Sequence, residues 1–437
     1  MKLDQVVSDV RGGVRGLARS RGWTVVAVLS IGLGIGANLL VFAIVDAVLL
    51  RPFPYRDPSR LVFLWGTKSN EVRRGISGAD LDDWRRQNRT FAGMDLFLEQ
   101  MTYRVGDSGD SVTGACVGPS VLPILGVAPA LGRNFTAADT AGGGQPVVIV
   151  SDAFWRGRMG GSPSAIGSTI SLNGRSFEVV GVTPRDFFFP DTNSQILQAS
   201  PCGMMNAHER GTPVMHGIGR LRDGVSVAQA QTDLDLVNQR LAQAYPETNK
   251  GVMTGVQPLR NIVVGRYERA LWLLLGAVGL VLLIACANVA HLQLARGVDR
   301  KIDLAVRAAI GADRRRLFAQ LLTESLVVAS AGAVCALGLA WLGIRIIRSL
   351  SLTDIARIDA AHIDMRLMAL AALLALAVTV VSGVWPAWKS AGVDVNDTLT
   401  LGTGGDTTSP TGAARELLAT TELALATVLL VGAGLLV

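Results

Sequence analysis

Five charge-poor apolar stretches constrain this chain more than anything else in it: Trp23 to Leu50, Leu271 to Ala295, Ser325 to Ile344, Leu367 to Trp388 and Leu417 to Val437. Each reaches the roughly 20 residues that a helix needs to cross about 30 Å of hydrocarbon. Backbone that crosses lipid must satisfy its N–H and C=O groups within its own segment, so the spans are expected to be helical. Hydrophobic residues make up 49% of the chain and aromatics only 5%, a balance that clustering in spans explains better than one soluble core. The first stretch exceeds the roughly 7–15 residue core of a signal peptide and no small-x-small cleavage site follows it, so it reads as a retained anchor. At about 1.5 Å per residue its length is roughly 42 Å, enough to tilt or to continue beyond the bilayer.

The net charge of +6 raises the question of nucleic acid, but the basic residues sit beside the apolar stretches, where a membrane surface accounts for them. Residues 1–22 hold five Lys or Arg, 296–316 seven, 345–366 four and 389–416 two. By the positive-inside rule the N-terminus and the 296–316 and 389–416 loops are cytoplasmic, and residues 51–269 lie on the far face. The expected fold is a membrane α-helical bundle of four spans plus a fifth at the C-terminus, with a large extracytoplasmic α+β domain inserted between spans 1 and 2. The expected boundaries are an inner-leaflet amphipathic helix over 1–22, spans at 23–50, 270–295, 320–344, 367–388 and 417–437, and the extracytoplasmic domain at 51–269. A cytoplasmic helix and loop occupy 296–319, an outer loop 345–366 and an inner linker 389–416. The last span ends at Val437 with no polar flank, from which a fragment or an early stop is expected.

Within residues 51–269 a proline-rich exit, Arg51 to Pro58, cannot continue a helix and precedes a strand candidate at Leu61 to Trp65. Residues 78–91 read as a helix, Pro146 to Val150 and Ser176 to Val182 as buried strands, and Asn173-Gly174 as a hairpin turn. From Val225 to Tyr245, Val227, Ala230, Leu234, Val237 and Leu241 recur at helical spacing. In the basic loop, Ile302, Ala305, Val306 and Ala309 make one apolar face, Arg300, Lys301 and Arg307 surround it, and Gly311 supplies a stop. That short helix would expose a sticky, basic face to the cytoplasm.

Several chemical readings fall away. Gly32, Gly34 and Gly36 lie within an apolar helix with no strand before them, so Gly32-x-x-x-Gly36 reads as close helix packing in lipid and not as a dinucleotide loop. The 437 residues contain no G-x-x-x-x-G-K-[ST], no H-E-x-x-H and no G-x-S-x-G, so no catalytic residue, cofactor or metal is assigned and the chain reads as a non-enzyme. Cys202, His208 and His216 match no common metal spacing. Asp80, Asp82 and Asp83 read as the solvated face of a helix beside Trp84. Among acids in the spans, Asp46 and Glu324 sit near span ends, where snorkelling or capping accounts for them, whereas Glu422 lies deeper and calls for a protein partner. Cys116 and Cys202 share the exported region, and both a disulfide and two free thiols remain open.

The order of elements, together with local sequence, resembles the MacB-type and FtsX-like permeases of ABC transporters. Ser30 to Asn38 followed by Asp46 to Tyr55 resembles that family's first span and exit. Leu125 to Phe135, Asn173-Gly174 and Val180 to Pro184 resemble its periplasmic core, and Ala285 to Ala290, Leu304 to Ala312 and Leu322 to Leu326 its second span, coupling helix and third-span entrance. The closest pattern is the duplicated orphan permease, with residues 411–437 as the opening of a second repeat. The resemblance implies a bacterial inner-membrane permease driven by a separate cytoplasmic ATPase, with Ile302, Val306, Arg307 and Gly311 in the ATPase-coupling helix and Gly32 and Gly36 in helix packing. It also implies contact with lipid, a homodimer or a pseudo-dimer through the second repeat, a periplasmic partner, and no nucleic acid. Drugs, peptides, lipoproteins and wall-hydrolase regulation all occur among relatives, and residues 51–269 do not choose among them. A membrane-anchored sensor is the rival reading; it calls for a cytoplasmic output domain, and the longest inner segment here has about 28 residues.

The topology is directly testable. Alkaline phosphatase fused near residue 150 is expected to be active and the same fusion near residue 305 inactive; equal activity at both sites overturns the assignment.

Overall fold

A computed structural model describes residues 20–68, 71–106, 109–140, 144–191, 193–200, 209–299, 314–349, 361–380 and 410–434. The chain divides into two compact units, with the divisions falling after Leu50 and after Tyr267. The sheet unit is built on strands β1 (Leu61–Lys68), β2 (Glu71–Arg74), β3 (Phe91–Arg104), β4 (Ser111–Val117), β5 (Leu131–Gly132), β6 (Val147–Val150), β7 (Thr169–Leu172), β8 (Arg175–Val182), β9 (Ile196–Ala199), β10 (His216–Leu221) and β11 (Val252–Pro258). They form one mixed sheet in the order β11-β1-β10-β3-β4-β9-β6-β8-β5, with β2 on β1 and β7 on β8. The β4–β9 and β6–β8 pairs are parallel and the others antiparallel.

The two halves of this sheet bury separate cores. Under helices α2 (Gly78–Gln87) and α5 (Val227–Ala244), Val62, Leu64, Trp84, Met94, Leu96, Leu234 and Leu241 pack together. Val148, Val150, Phe177, Val179 and Ile196 pack with Phe154 of helix α4 (Asp152–Arg158). A third helix, α3 (Val121–Leu125), is one short turn that closes on Gly126 in the left-handed conformation. The periodicity expected for α5 is present: Ala230, Leu234, Val237 and Leu241 are its buried face, and Ser226 and Gln229 form a capping box at its start. Asn238 shares that face, accepting from Trp84 Nε1 at 3.0 Å and donating to Thr254 Oγ1 at 2.6 Å. The hairpin turn is also where expected, with Asn173 and Gly174 at φ of 52° and 76°, both positive as a two-residue hairpin requires.

The helix expected over 78–91 stops earlier. Asn88 donates its side-chain amide to Trp84 O at 2.7 Å and accepts from Phe91 N at 3.0 Å, a local bond that competes with continued helix. Arg89 and Thr90 then donate their backbone N–H groups to Asp233 of α5, and Phe91 begins β3.

In the membrane unit, helix α1 (Arg21–Val45) continues as a π turn over Asp46–Leu50. Helices α6 (Leu259–Asp299), α7 (Arg314–Ser349), α8 (Met365–Thr379) and α9 (Pro410–Gly434) complete the described elements, and the division after Tyr267 falls within α6. Among the described residues, Arg21–Leu50, Tyr267–Gln293 and Leu322–Ser349 are long and apolar enough to cross a membrane. Met365–Thr379 and Ala419–Gly432 are shorter apolar helices; residues 381–388 and 435–437 of the fourth and fifth expected spans lie outside the described residues.

Candidate functional site

Helix α1 carries Gly32, Gly34 and Gly36, all buried. At about 100° per residue, Gly32 and Gly36 share one face and Gly34 points almost the opposite way. The structure uses both directions. A Cβ on Gly32 would come within 2.9 Å of Cys335 Sγ, and one on Gly36 within 3.3 Å of Ala336 O and Leu339 Cβ, all on α7. A Cβ on Gly34 would instead come within 2.9 Å of Ala285 Cβ on α6. Helix α1 is therefore a wedge gripped on both sides, with Gly332 and Gly343 of α7 leaving reciprocal room for Ile31 and Leu40. The four-residue spacing singled out only one of these faces; Gly34 carried no signal of its own because its partner lies some 250 residues away.

Polar groups complete the grip. Asn38 of α1 donates to Gly34 O at 2.8 Å and to Val278 O of α6 at 2.7 Å, a bond between helices in a setting where water offers no alternative partner. Trp23 Nε1 donates to Leu292 O of α6 at 3.1 Å, and Gln293 of α6 meets Ser325 of α7 at 3.3 Å. Asp46, at the C-terminal end of α1 where snorkelling or capping was expected, is 4% exposed, and its Oδ1 lies 3.5 Å from Nη1 of the largely exposed Arg366 of α8. A lone charge at mid-bilayer costs about 2.5–3.5 kcal/mol on insertion scales, and a cation supplied by another helix offsets that cost. Glu324 is half-buried on α7. Glu422 of α9 has found the partner its depth called for, with Oε1 lying 3.5 Å from His291 Nδ1 of α6. The coupling-helix residues Ile302, Val306, Arg307 and Gly311 lie outside the described residues, as does the amphipathic helix up to residue 19.

The sheet unit holds a second constellation that the sequence did not reveal. Asp80 and Asp83, expected on a solvated face, are 9% and 7% exposed. Arg210 bridges them, with Nη1 at 2.6 Å from Asp80 Oδ1 and Nη2 at 2.6 Å from Asp83 Oδ2. Its guanidinium lies 3.9 Å from the centroid of the Tyr245 ring, a face that attracts a cation. Asn249 and Ser77 donate to Asp80, and Arg86 to Asp83, so the acids turn inward because every charge there has partners. Burial by itself would raise the carboxyl pKa of Asp83; hydrogen bonds and charge from Arg210 and Arg86 outweigh it and hold the group below its ordinary value. The exit segment is tied down as well: Phe53 packs edge-to-face against Tyr55 and Phe188, whose rings are tilted against each other, and Arg220 donates to Ile124 O, Arg56 O and Asp57 O.

Cys116 is buried and disulfide-bonded, whereas Cys202 lies outside the described residues. Cys286 and Cys335 are free. His216 sits between Phe63 and Phe97, 4.0 Å from Glu99, and His208 lies outside the described residues. Among the described residues no group of three or more His, Cys, Asp or Glu is placed to hold a metal ion.

Comparison with known proteins places these elements in context. Residues 24–237 match the family described as MacB-like periplasmic core domain, and residues 275–395 match FtsX-like permease C-terminal. "Macrolide export ATP-binding/permease protein MacB" of Agrobacterium fabrum is 26% identical over 292 residues, 63% of this chain and 44% of that protein. "Macrolide export ATP-binding/permease protein MacB 1/2" of Paracoccus denitrificans is 26% identical over 314 residues, 71% of this chain and 45% of that protein. The chain thus spans less than half the length of these curated relatives. Among solved structures, the periplasmic region of MacB from Actinobacillus actinomycetemcomitans aligns with a TM-score of 0.35 at 14% identity, over 47% of this chain and 91% of that one.

Two outcomes follow from the geometry. Gly34→Leu is expected to destabilise the detergent-solubilised chain as much as Gly32→Leu, by about 1–3 kcal/mol for overpacking, read as lowered melting temperatures in a thermal scan; a tolerated Gly34→Leu contradicts the two-sided grip. Arg210→Gln is expected to cost about 1–3 kcal/mol at pH 7, since Asp80 loses its guanidinium while Asp83 keeps Arg86. Because the folded pKa of Asp83 is lowered, the stabilisation from Arg210 is present above the unfolded value of about 3.9 and lost as pH falls below it. Urea unfolding at pH 7 and near pH 3 should therefore differ less in the variant than in the wild type.

Proposed function

The chain belongs to the MacB/FtsX-type permeases of ABC transporters, and from that premise we propose that it transmits ATPase-driven motion across the inner membrane to its exported domain, for export or extrusion of a substrate. It is a multi-pass membrane permease with a MacB-like periplasmic core; the direction of each loop, the engine and the substrate belong to the proposal. The observation that carries it is the order along the chain: a periplasmic core over 24–237, then an FtsX-like permease over 275–395, with seven Lys or Arg over 296–316 inside the second match.

On this reading the N-terminus and the 296–319 segment face the cytoplasm and residues 51–269 the periplasm. The names of the relatives join ATP binding to a permease, and on this reading hydrolysis belongs to an ABC ATPase that docks on the permease. The apolar face of Ile302 and Val306 docks in that subunit's groove, Arg307 pairs with an acidic rim, and Gly311 ends the helix. Movement of the helix is passed to α1 through the α6 and α7 contacts on its glycine faces, since packed helices shift as bodies and do not deform continuously. Two permease units work together on this reading, either as a homodimer or as a pseudo-dimer through a second repeat that residues 417–437 resemble.

Co-purification tests the engine. From the native membrane, the wild-type chain is expected to bring down an ABC ATPase, and Arg307→Glu to lose most of it at equal yield. If no ATPase accompanies either protein, the reading is wrong; if both retain it equally, the assignment of Arg307 is wrong.

A further inference from the structure

Three successive residues of α6 reach three different helices. Leu292 accepts the indole N–H of Trp23 on α1, Gln293 meets Ser325 on α7, and His291 faces Glu422 on α9. The side chains of His291 and Glu422 are 24% and 23% exposed, and the facing oxygen Oε1 of Glu422 is sealed from solvent, with no hydrogen bond among the described residues. At 3.5 Å the imidazole is in polar contact with the carboxylate but not in a short hydrogen bond.

Helix α9 has two distinct sides. Glu422, Leu425, Leu429 and Gly432 are half-buried, and their spacing of three, four and three residues puts them on one stripe. Leu423, Leu430, Val428 and Val431 are exposed by 57–75%, as residues facing lipid tails are. A helix lying free in lipid gains nothing by keeping one stripe apart, and its glutamate would have no polar side chain to meet.

We propose that α9 is a fifth member of the membrane bundle, docked on α6 along the Glu422–Leu425–Leu429–Gly432 stripe and recruited there by the His291–Glu422 contact. The segment at residues 291–293 then acts as a polar hub. It ties α1, α7 and α9 to α6 one turn before the chain enters the basic loop, so a pull on that loop reaches all three. The docking itself does not rest on the transport reading, and its test involves no ATPase.

The test uses the full chain with a protease site inserted between Gly402 and Gly405. After cleavage in mild detergent, the C-terminal fragment of the wild type is expected to stay with the remainder on an affinity column. Glu422→Leu is expected to raise the dissociation constant of the fragment about tenfold, equivalent to about 1.4 kcal/mol and within the range of polar contacts between helices in lipid. The exchanged pair His291→Glu with Glu422→His is expected to restore retention, and Gln293→Leu, which loosens the α7 contact instead, to leave it unchanged. Should Glu422→Leu fail to purify, His291→Leu tests the same contact from the other helix. Release of the wild-type fragment on cleavage, or retention of the Leu variant at wild-type strength, overturns the proposal.

Discussion

The membrane unit depends on how closely α1 approaches its neighbours. In lipid there is no hydrophobic gain from bringing two apolar helices together, so association rests on van der Waals contact and a few polar bonds. Gly32 and Gly36 bring α7 close on one side and Gly34 brings α6 close on the other. Each missing side chain removes the spacer that would hold two backbones apart. The indole of Trp23 and the amide of Asn38 then fix the longitudinal register of α1 against α6, because a slide along the helix axis would strand both donors away from water.

Charge within the spans obeys a related rule. Asp46 and Glu422 are each met by a base from a different helix, Arg366 and His291. A pair of this kind adds little net stability where water is available. In a bundle its value lies in selectivity, since the wrong neighbour leaves an acid without a polar partner, at a cost that apolar packing does not replace.

In the sheet unit the same logic operates in a water-soluble setting. Arg210 draws two carboxylates from α2 inward and rests on Tyr245 at the end of α5. Asn238 joins Trp84 to Thr254. Helices α2 and α5 are thus fixed over the sheet by directional bonds in addition to the apolar core beneath them. Apolar contact permits many orientations of similar energy, whereas a forked guanidinium accepts few.

Local pattern was enough for several elements: apolar length for three membrane-crossing helices among the described residues, helical spacing for α5, and Asn173-Gly174 for the β7–β8 turn. It also pointed to Gly32 and Gly36 as positions of close approach and to Glu422 as a residue in need of a partner. These are properties of neighbours in the chain, and a periodicity or a turn can be read from within a dozen residues. What local pattern does not hold is the identity of distant partners. Gly34 looks like any helix glycine until Ala285 is brought against it, and Asp80 and Asp83 look solvated until Arg210, about 130 residues on, closes over them. Even the end of α2 was decided by Asn88 together with Asp233 of α5. Spans and turns follow from the order of residues because their hydrogen bonds close locally; the pairing of distant strands, the burial of charge and the pairing of helices waited for the fold, because only a folded chain brings a distant strand edge, a cation or a bare backbone within a few ångströms.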